Sequence, residues 1–443
     1  MSTQQRLVDT VLEIVGDRAE AEVNADVGTL ALTRFANSFI HQNVSEDTAA
    51  VSLRVAVEGR VSSSTTTATT PDALVSFVDA TLGTAVQQPV DDEWPGIGGP
   101  ADQSDVEHWD AATAEADPMA RAEAVKAFVD AGEGMLGAGY CQTDAHGLAY
   151  GNTAGRTANG RFTTAIVDGI QQTPTSAGSG HAAGVALGSI DARTVGELAA
   201  QRARDAGAPF DVEPGEYEVV LSPECVATIT VFLDAYGFNA KVAQEGMSFA
   251  ALGERQFDPS IDIWDDATDP RALNVTFDVE GTPKRKVDLV HGGETVSLLH
   301  SRRTAAKAGV ASTGHATADG DVFGSFGTNM FVGAGDESVE DLVASVDRGI
   351  YVATFNYCRV LDPKSLIVTG LTRNGTFMIE NGQITGAVTN MRFTQSFVAA
   401  LGPGRVAGIG NDDRFADSEF GPAMIHAPSM RLASWNFTGG ADG

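Results

Sequence analysis

The sequence predicts an α+β protein in two parts: a helix-on-sheet domain over residues 1–210, then a β-dominated antiparallel domain over residues 211–443. Helical and extended patterns alternate through the first part, and Asn-Gly pairs between β-branched runs mark the second. Gly207-Ala208-Pro209 breaks the chain between them.

Leu7, Val8, Val11, Leu12 and Val15 fall at helical spacing and predict an amphipathic first helix. Residues 48–57 alternate as a strand, Glu58-Gly59-Arg60 turns the chain, and the Ser/Thr run 62–70 continues as a polar β edge. Pro71 opens a helix through Leu82, since the first helical position tolerates proline. Residues 87–118, rich in Pro, Gly and acid, read as a surface excursion. A helix over 117–132 follows, then strands near 137–150 and 161–168 joined by the Gly/Asn-rich 151–160. Thr194 and Glu197 have capping-box spacing, which predicts a helix running to about Gly207.

In the second part, Tyr217, Val219 and Leu221 alternate onto one face, and Pro223 opens a helix to about Tyr236. Ser338 and Asp341 cap another helix, ended by Gly349. Asn374-Gly375 and Asn381-Gly382 read as two hairpin turns, hence at least three antiparallel strands. No 20–50-residue period recurs, which excludes a solenoid.

The net charge is −30, and Lys126, Lys241, Lys284, Lys286, Lys307 and Lys364 are the only lysines. Such a surface repels itself at low ionic strength, whereas molar salt shortens the Debye length to about 3 Å. This balance predicts adaptation to a salt-rich cytoplasm, and it excludes nucleic acid as a partner because no basic patch could neutralise phosphates. No apolar run approaches the ~20 residues that span a bilayer. The first residues lack the basic and apolar regions of a secretory leader, so a cytoplasmic location and no membrane partner are expected. Cys141, Cys225 and Cys358 form neither a disulfide framework nor a zinc knuckle, and buried thiols are expected.

Catalytic signatures are sparse. A zincin needs two imidazoles and a glutamate on one helical face, and no HExxH occurs. His291-Gly292-Gly293-Glu294, with His300 beyond it, is the nearest approach, but the two glycines favour a loop joining two strands. There is no GxSxG nucleophile elbow, and the Gly-x-Gly pairs at 333–335 and 402–404 open no phosphate-binding helix. Cys358 lies in a strand-like run where Arg359 points to the opposite face.

The most distinctive segment is 276–316. It joins an acidic turn (Asp278, Glu280), a Gly-Thr-Pro bend, a basic strand and the Gly-rich Ser312-Thr313-Gly314-His315. Together with 246–266, 349–375, the Met-Ile-Glu-Asn-Gly run at 378–382 and looser matches at 53–60 and 146–153, it resembles the TldD/PmbA family. These metallopeptidases were once described as modulators of DNA gyrase. Several separated elements in a fixed order carry the likeness over nearly the whole chain.

The resemblance implies a choice between two branches. In the catalytic, TldD-like branch, a helix early in the second domain carries two His and a Glu with HExxxH spacing, completed by a late Cys. The corresponding stretch here, 223–249, has no histidine, and 411–437 has no cysteine. The chain is similar to the PmbA/TldE-like partner branch, which implies a non-metal-binding subunit of a cytoplasmic heteromeric peptidase acting on small or unfolded peptides. Zinc is then expected in a TldD-like catalytic partner, with no cofactor, metal ligand or catalytic residue in this chain. His300, Arg303, His315 and Arg373 are the peptide-binding candidates, as polar residues of the best-matching segments. The alternatives are a self-sufficient metallopeptidase using His291, Glu294 and His300, and a non-proteolytic peptide-binding homodimer.

Overall fold

A computed structural model describes residues 1–440 and has the expected α+β architecture, with mainly antiparallel sheets. The first sheet has the order β3-β2-β1-β4-β5-β6. Its strands are β1 (Glu20–Ala36), β2 (Phe39–Val57), β3 (Arg60–Thr66), β4 (Leu136–Asn152), β5 (Thr157–Gln172) and β6 (Ala177–Gly184). The helices Thr3–Val15 and Pro71–Ala85 cover one end of one face, burying Val8, Val11, Val23, Leu53 and Val78. The helices Pro118–Asp130 and Ala192–Asp205 cover the other end, around Phe35, Phe128 and Val167.

Two local readings change. Thr194 does not cap its helix: Asp191 is the N-cap, its carboxylate accepting from the backbone N–H groups of Arg193 and Thr194 and from the Thr194 hydroxyl. A charged acceptor at that position outcompetes a hydroxyl one turn later. The strand at 48–57 is the second half of a longer one, because Asn37 and Ser38 (φ 51° and 64°) make a tight turn joining β1 to β2.

Thirteen strands follow among the described residues. The first five are β7 (Gly215–Leu221), β8 (Ile263–Asp265), β9 (Val287–His291), β10 (Glu294–Thr295) and β11 (Met330–Val332). Next come β12 (Arg348–Asp362), β13 (Ile367–Glu380), β14 (Gln383–Ala387) and β15 (Met391–Ser396). The last four are β16 (Val406–Ile409), β17 (Arg414–Ser418), β18 (Gly421–Ala427) and β19 (Met430–Gly440). One sheet runs β10-β9-β8-β11-β18-β17. The other runs β12-β7-β19-β15-β13, and β13 pairs back onto β12, so these five strands close a barrel. Trp435, Phe355, Phe393 and Phe397 fill it, Phe355 stacking on Trp435 with ring centroids 5.1 Å apart.

Asn381-Gly382 makes the expected turn, between β13 and β14. Asn374-Gly375 does not turn the chain: both residues lie inside β13 at φ 56° and 137°. There the register against β12 slips between Val352 and Thr354. Pairing with β12 on both sides of the pair carries the strand through, and left-handed backbone becomes a bulge. Ser338 and Asp341 form the predicted capping box.

The helix Pro223–Leu233 touches both the barrel and the six-stranded second sheet, and all its residues are buried. Its apolar residues circle the axis, as a helix sealed on every side requires. The expected continuation to Tyr236 loosens into a π-helical turn over Asp234–Phe238, followed by the short helix Ala240–Gln244.

Candidate functional site

The bare face of the first sheet docks on the segment at 276–302. Asn24 donates to the Val279 carbonyl at 2.7 Å, and the Tyr150 hydroxyl donates to Glu22 at 2.7 Å. Arg302, at the start of the helix Arg302–Ala308, ion-pairs with Glu22 and reaches Glu280 at 3.2 Å, while Arg54 lies 3.4 Å from Glu280. Burial raises the Glu22 pKa, against the pull of Arg302.

The four peptide-binding candidates sit in different surroundings. His315 is fully buried; its Nε2 lies 2.8 Å from Asp265 and its Nδ1 2.9 Å from Thr313. Asp265 also accepts from the backbone N–H groups of Thr328 and Asn329. Burial works against that carboxylate, yet His315 and Lys284 hold it well below the usual range. His300 is buried beside His315, and Thr313 bridges the two segments by donating to the His300 carbonyl and accepting from its N–H. Arg303 is bidentate to Asp91, at 2.6 and 3.1 Å, and contacts Asp321. Arg373 stands apart from these three, exposed on β13.

Arg373 borders a groove of about 670 Å³ between the β5–β6 turn and the β12–β13 wall of the barrel. The groove leads into a smaller cavity of about 250 Å³, the two sharing Ile170, Asn356, Arg373 and Asn374. Asp168, Ser179, Glu224, Asp417 and Glu419 line the inner cavity. Asp168 comes from β5, Ser179 from β6, Glu224 from the buried helix, and Asp417 from β17. Next to Ser179 on the same face of β6, His181 places Nδ1 3.1 Å from Asp168. Glu224 accepts from Arg414 at 2.6 Å and lies 3.9 Å from Arg202; burial opposes its charge, but the two guanidinium groups bring its pKa down to about 2. Burial, with like charge from Asp168 and Glu224, pushes Asp417 up to about 6 against the pull of His181.

This cluster escaped the sequence analysis because its members are far apart in the chain. One local signal bears on it. A Cβ on Gly178 or Gly180 would meet the backbone of the helix Ala192–Asp205 at 2.2 Å. The two glycines therefore mark the helix-facing side of β6, which turns Ser179 and His181 the other way.

Residues 214–439, slightly more than half the chain, match the family model described as the PmbA/TldA metallopeptidase C-terminal domain. The chain belongs to the PmbA/TldD family. A metalloprotease of Methanothermobacter thermautotrophicus is 27% identical over 203 residues, covering 45% of this chain and 44% of that protein. A metalloprotease of Synechocystis is 34% identical over 161 residues, 34% of each chain. The matched stretches thus span less than half the length of these curated relatives. The fold is that of TldE from Thermococcus kodakarensis, with a TM-score of 0.87 at 16% identity over 99% of this chain and 100% of that one.

The zinc implied by the PmbA/TldD family can be tested against the buried helix. In the HExxxH frame Asp234, the first residue after that helix, is flanked by Leu233 and Phe238 where imidazoles would stand. Both apolar side chains are fully buried, and Asp234 accepts from the Gly327 N–H at 3.0 Å. The other acid, Glu224, is taken up by two arginines. These donors do not fit zinc. Nor do His291, Glu294 and His300 form one set: His291 is exposed at the β9–β10 hairpin beside Asp262, whereas His300 points inward. Among the described residues, no three His, Cys, Asp or Glu side chains are grouped to hold a metal. The thiols of Cys141, Cys225 and Cys358 are buried, and burial raises the pKa of each, that of Cys141 to about 12. No helix among the described residues is long and apolar enough to cross a membrane.

Proposed function

We propose that this chain is the TldE/PmbA-like subunit of a heteromeric cytoplasmic peptidase that cleaves small or unfolded peptides. On this reading a TldD-like partner supplies the zinc, and this chain helps enclose the substrate. The observation that carries the proposal is that residues 223–249 hold no histidine, while Leu233 and Phe238, on either side of Asp234, are sealed in the core. The groove beside Arg373 supports a peptide-binding role: it is roomy and lined mostly by polar side chains and turn residues that can hydrogen-bond to a peptide. On this reading His300, His315 and Arg303, which stand apart from the groove, hold the segment at 276–316 in shape.

The test is reconstitution at high salt with a family member that carries the HExxxH helix. The proposal expects the pair to hydrolyse an unfolded peptide and Arg373→Ala to slow it. It also expects this chain alone to carry no stoichiometric zinc after dialysis. One zinc bound tightly by the isolated chain, with unaided peptide hydrolysis, would overturn it.

A further inference from the structure

We infer that the outer groove is a carboxylate site, in which Arg373 takes the carboxyl terminus or an acidic side chain of a bound peptide. This inference rests on the peptide-groove reading above and states which part of the substrate is held.

The strand around Arg373 is built to present it. Asn374 and Gly375 hold left-handed backbone inside β13, and the register against β12 slips there. A Cβ on Gly375 would lie 2.9 Å from the Phe377 ring and 3.0 Å from Ala353, so the bulge requires glycine. Asn374 takes up the same backbone without glycine's freedom, a strain of the kind that folds retain where a side chain must be aimed. The Thr354 hydroxyl pins the bulge by donating to the Arg373 carbonyl at 2.6 Å. The Arg373 side chain is left exposed on the groove wall.

The chemistry follows from what surrounds that guanidinium. The chain has 59 Asp and Glu, yet none of them lines the outer groove. Among the described residues no carboxylate lies within salt-bridge distance of Arg373, and its side chain donates no hydrogen bond. The acids of the adjoining cavity are engaged elsewhere: Glu224 by Arg414 and Arg202, Glu419 by Arg359 at 3.5 Å, and Asp168 by His181. Asn356, Asn374 and Asn390 add amide donors to the groove. The Asn390 oxygen accepts from the Thr376 hydroxyl at 3.2 Å, which leaves its NH₂ for a ligand. An open fork among neutral donors fits a planar carboxylate, which accepts two parallel N–H bonds. An ammonium finds no anion in the outer groove. A phosphate would keep a second charge unpaired in the field of a −30 chain.

The experiment measures fluorescence anisotropy of the intact chain at about 0.5 M KCl with three short peptides labelled at the amino terminus. One is free of Asp and Glu and ends in a carboxylate, one is the same peptide amidated, and one is amidated with a single internal glutamate. The inference expects the free acid, the glutamate peptide or both to bind about fivefold tighter than the amidated acid-free one. Which of the two gains identifies the source of the carboxylate. The gain should shrink as KCl is raised to about 2 M, because an exposed ion pair is screened. Arg373→Ala should erase the gain while leaving the thermal midpoint near that of the parent chain. Arg373→Lys should restore part of it, since an ammonium keeps the charge and loses the fork. A gain that survives Arg373→Ala overturns the assignment. Equal affinity for all three peptides also overturns it and leaves the peptide groove standing, whereas absence of binding by any of them removes the groove as well. Because the peptide comparison uses the unaltered chain, it decides the matter even if a variant fails to fold.

Discussion

Glu224 and Asp417 line the same cavity but titrate in opposite directions. The Glu224 pKa falls from 4.5 to about 2, so the stability it contributes is complete above 4.5 and is lost as the pH drops through 2. Asp417 rises from 3.8 to about 6, so it favours the fold when protonated and costs stability as the pH climbs through 6. Asp417→Asn should therefore flatten the decline in urea midpoint between about pH 4 and 6. An unchanged slope across that interval would mean that Asp417 is hydrated as freely as in the unfolded chain. Glu224→Gln should cost about 3–5 kcal/mol, because it strands the buried Arg202 beside a neutral side chain. Urea unfolding would detect a loss that large, and a loss under ~1 kcal/mol would show that solvent reaches the guanidinium.

At the scale of elements, the strongest dependence on a single backbone position is at Gly281. Its φ is +63°, and a Cβ there would lie 2.3 Å from the ring of Tyr150. Gly281→Ala should cost about 2–5 kcal/mol, combining left-handed strain with displacement of a buried ring from its bond to Glu22. An unaltered melting curve would count against this account. How well elements could be read depended on the strength of their local signal. Pro71 and Pro223 each begin a helix, and the 338–341 capping box and the Asn381-Gly382 turn occur as predicted, because each is set by residues within one turn. β1 was missed because its buried face is made of Ala21, Ala25 and Ala31 as well as Val23 and Phe35, and alanine gives little alternation. Asn374-Gly375 misled because left-handed backbone is shared by hairpin turns and bulges, and only the partner strand decides between them. The inner cavity was hidden for a different reason: Asp168 of the first sheet, Glu224 of the buried helix and Asp417 of β17 meet only after the first sheet has docked on the second half of the chain.

At the scale of the whole molecule, docking depends on a nearly dry ionic contact. Glu22 and Glu280, both buried, share Arg302 and Arg54. Arg302→Ala should destabilise the chain by about 3–5 kcal/mol by leaving two carboxylates facing each other with one remaining cation. Differential scanning calorimetry would show whether the first sheet then melts separately from the barrel. The net charge of −30 leads to a further expectation. The unfolding midpoint should rise steadily from 0.1 M to about 2 M KCl as repulsion is screened. A midpoint indifferent to salt would remove the case for a halophilic setting.

The arrangement of the barrel also constrains how the chain is made. β19 lies between β7 and β15, so the staves that enclose Trp435 cannot close until residues 430–440 have emerged from the ribosome. The first sheet, complete by Gly184, is free to form much earlier. Until the final strand arrives, the nascent polypeptide holds a finished amino-terminal layer beside an unsealed aromatic core, and that interval is when it most needs protection from aggregation.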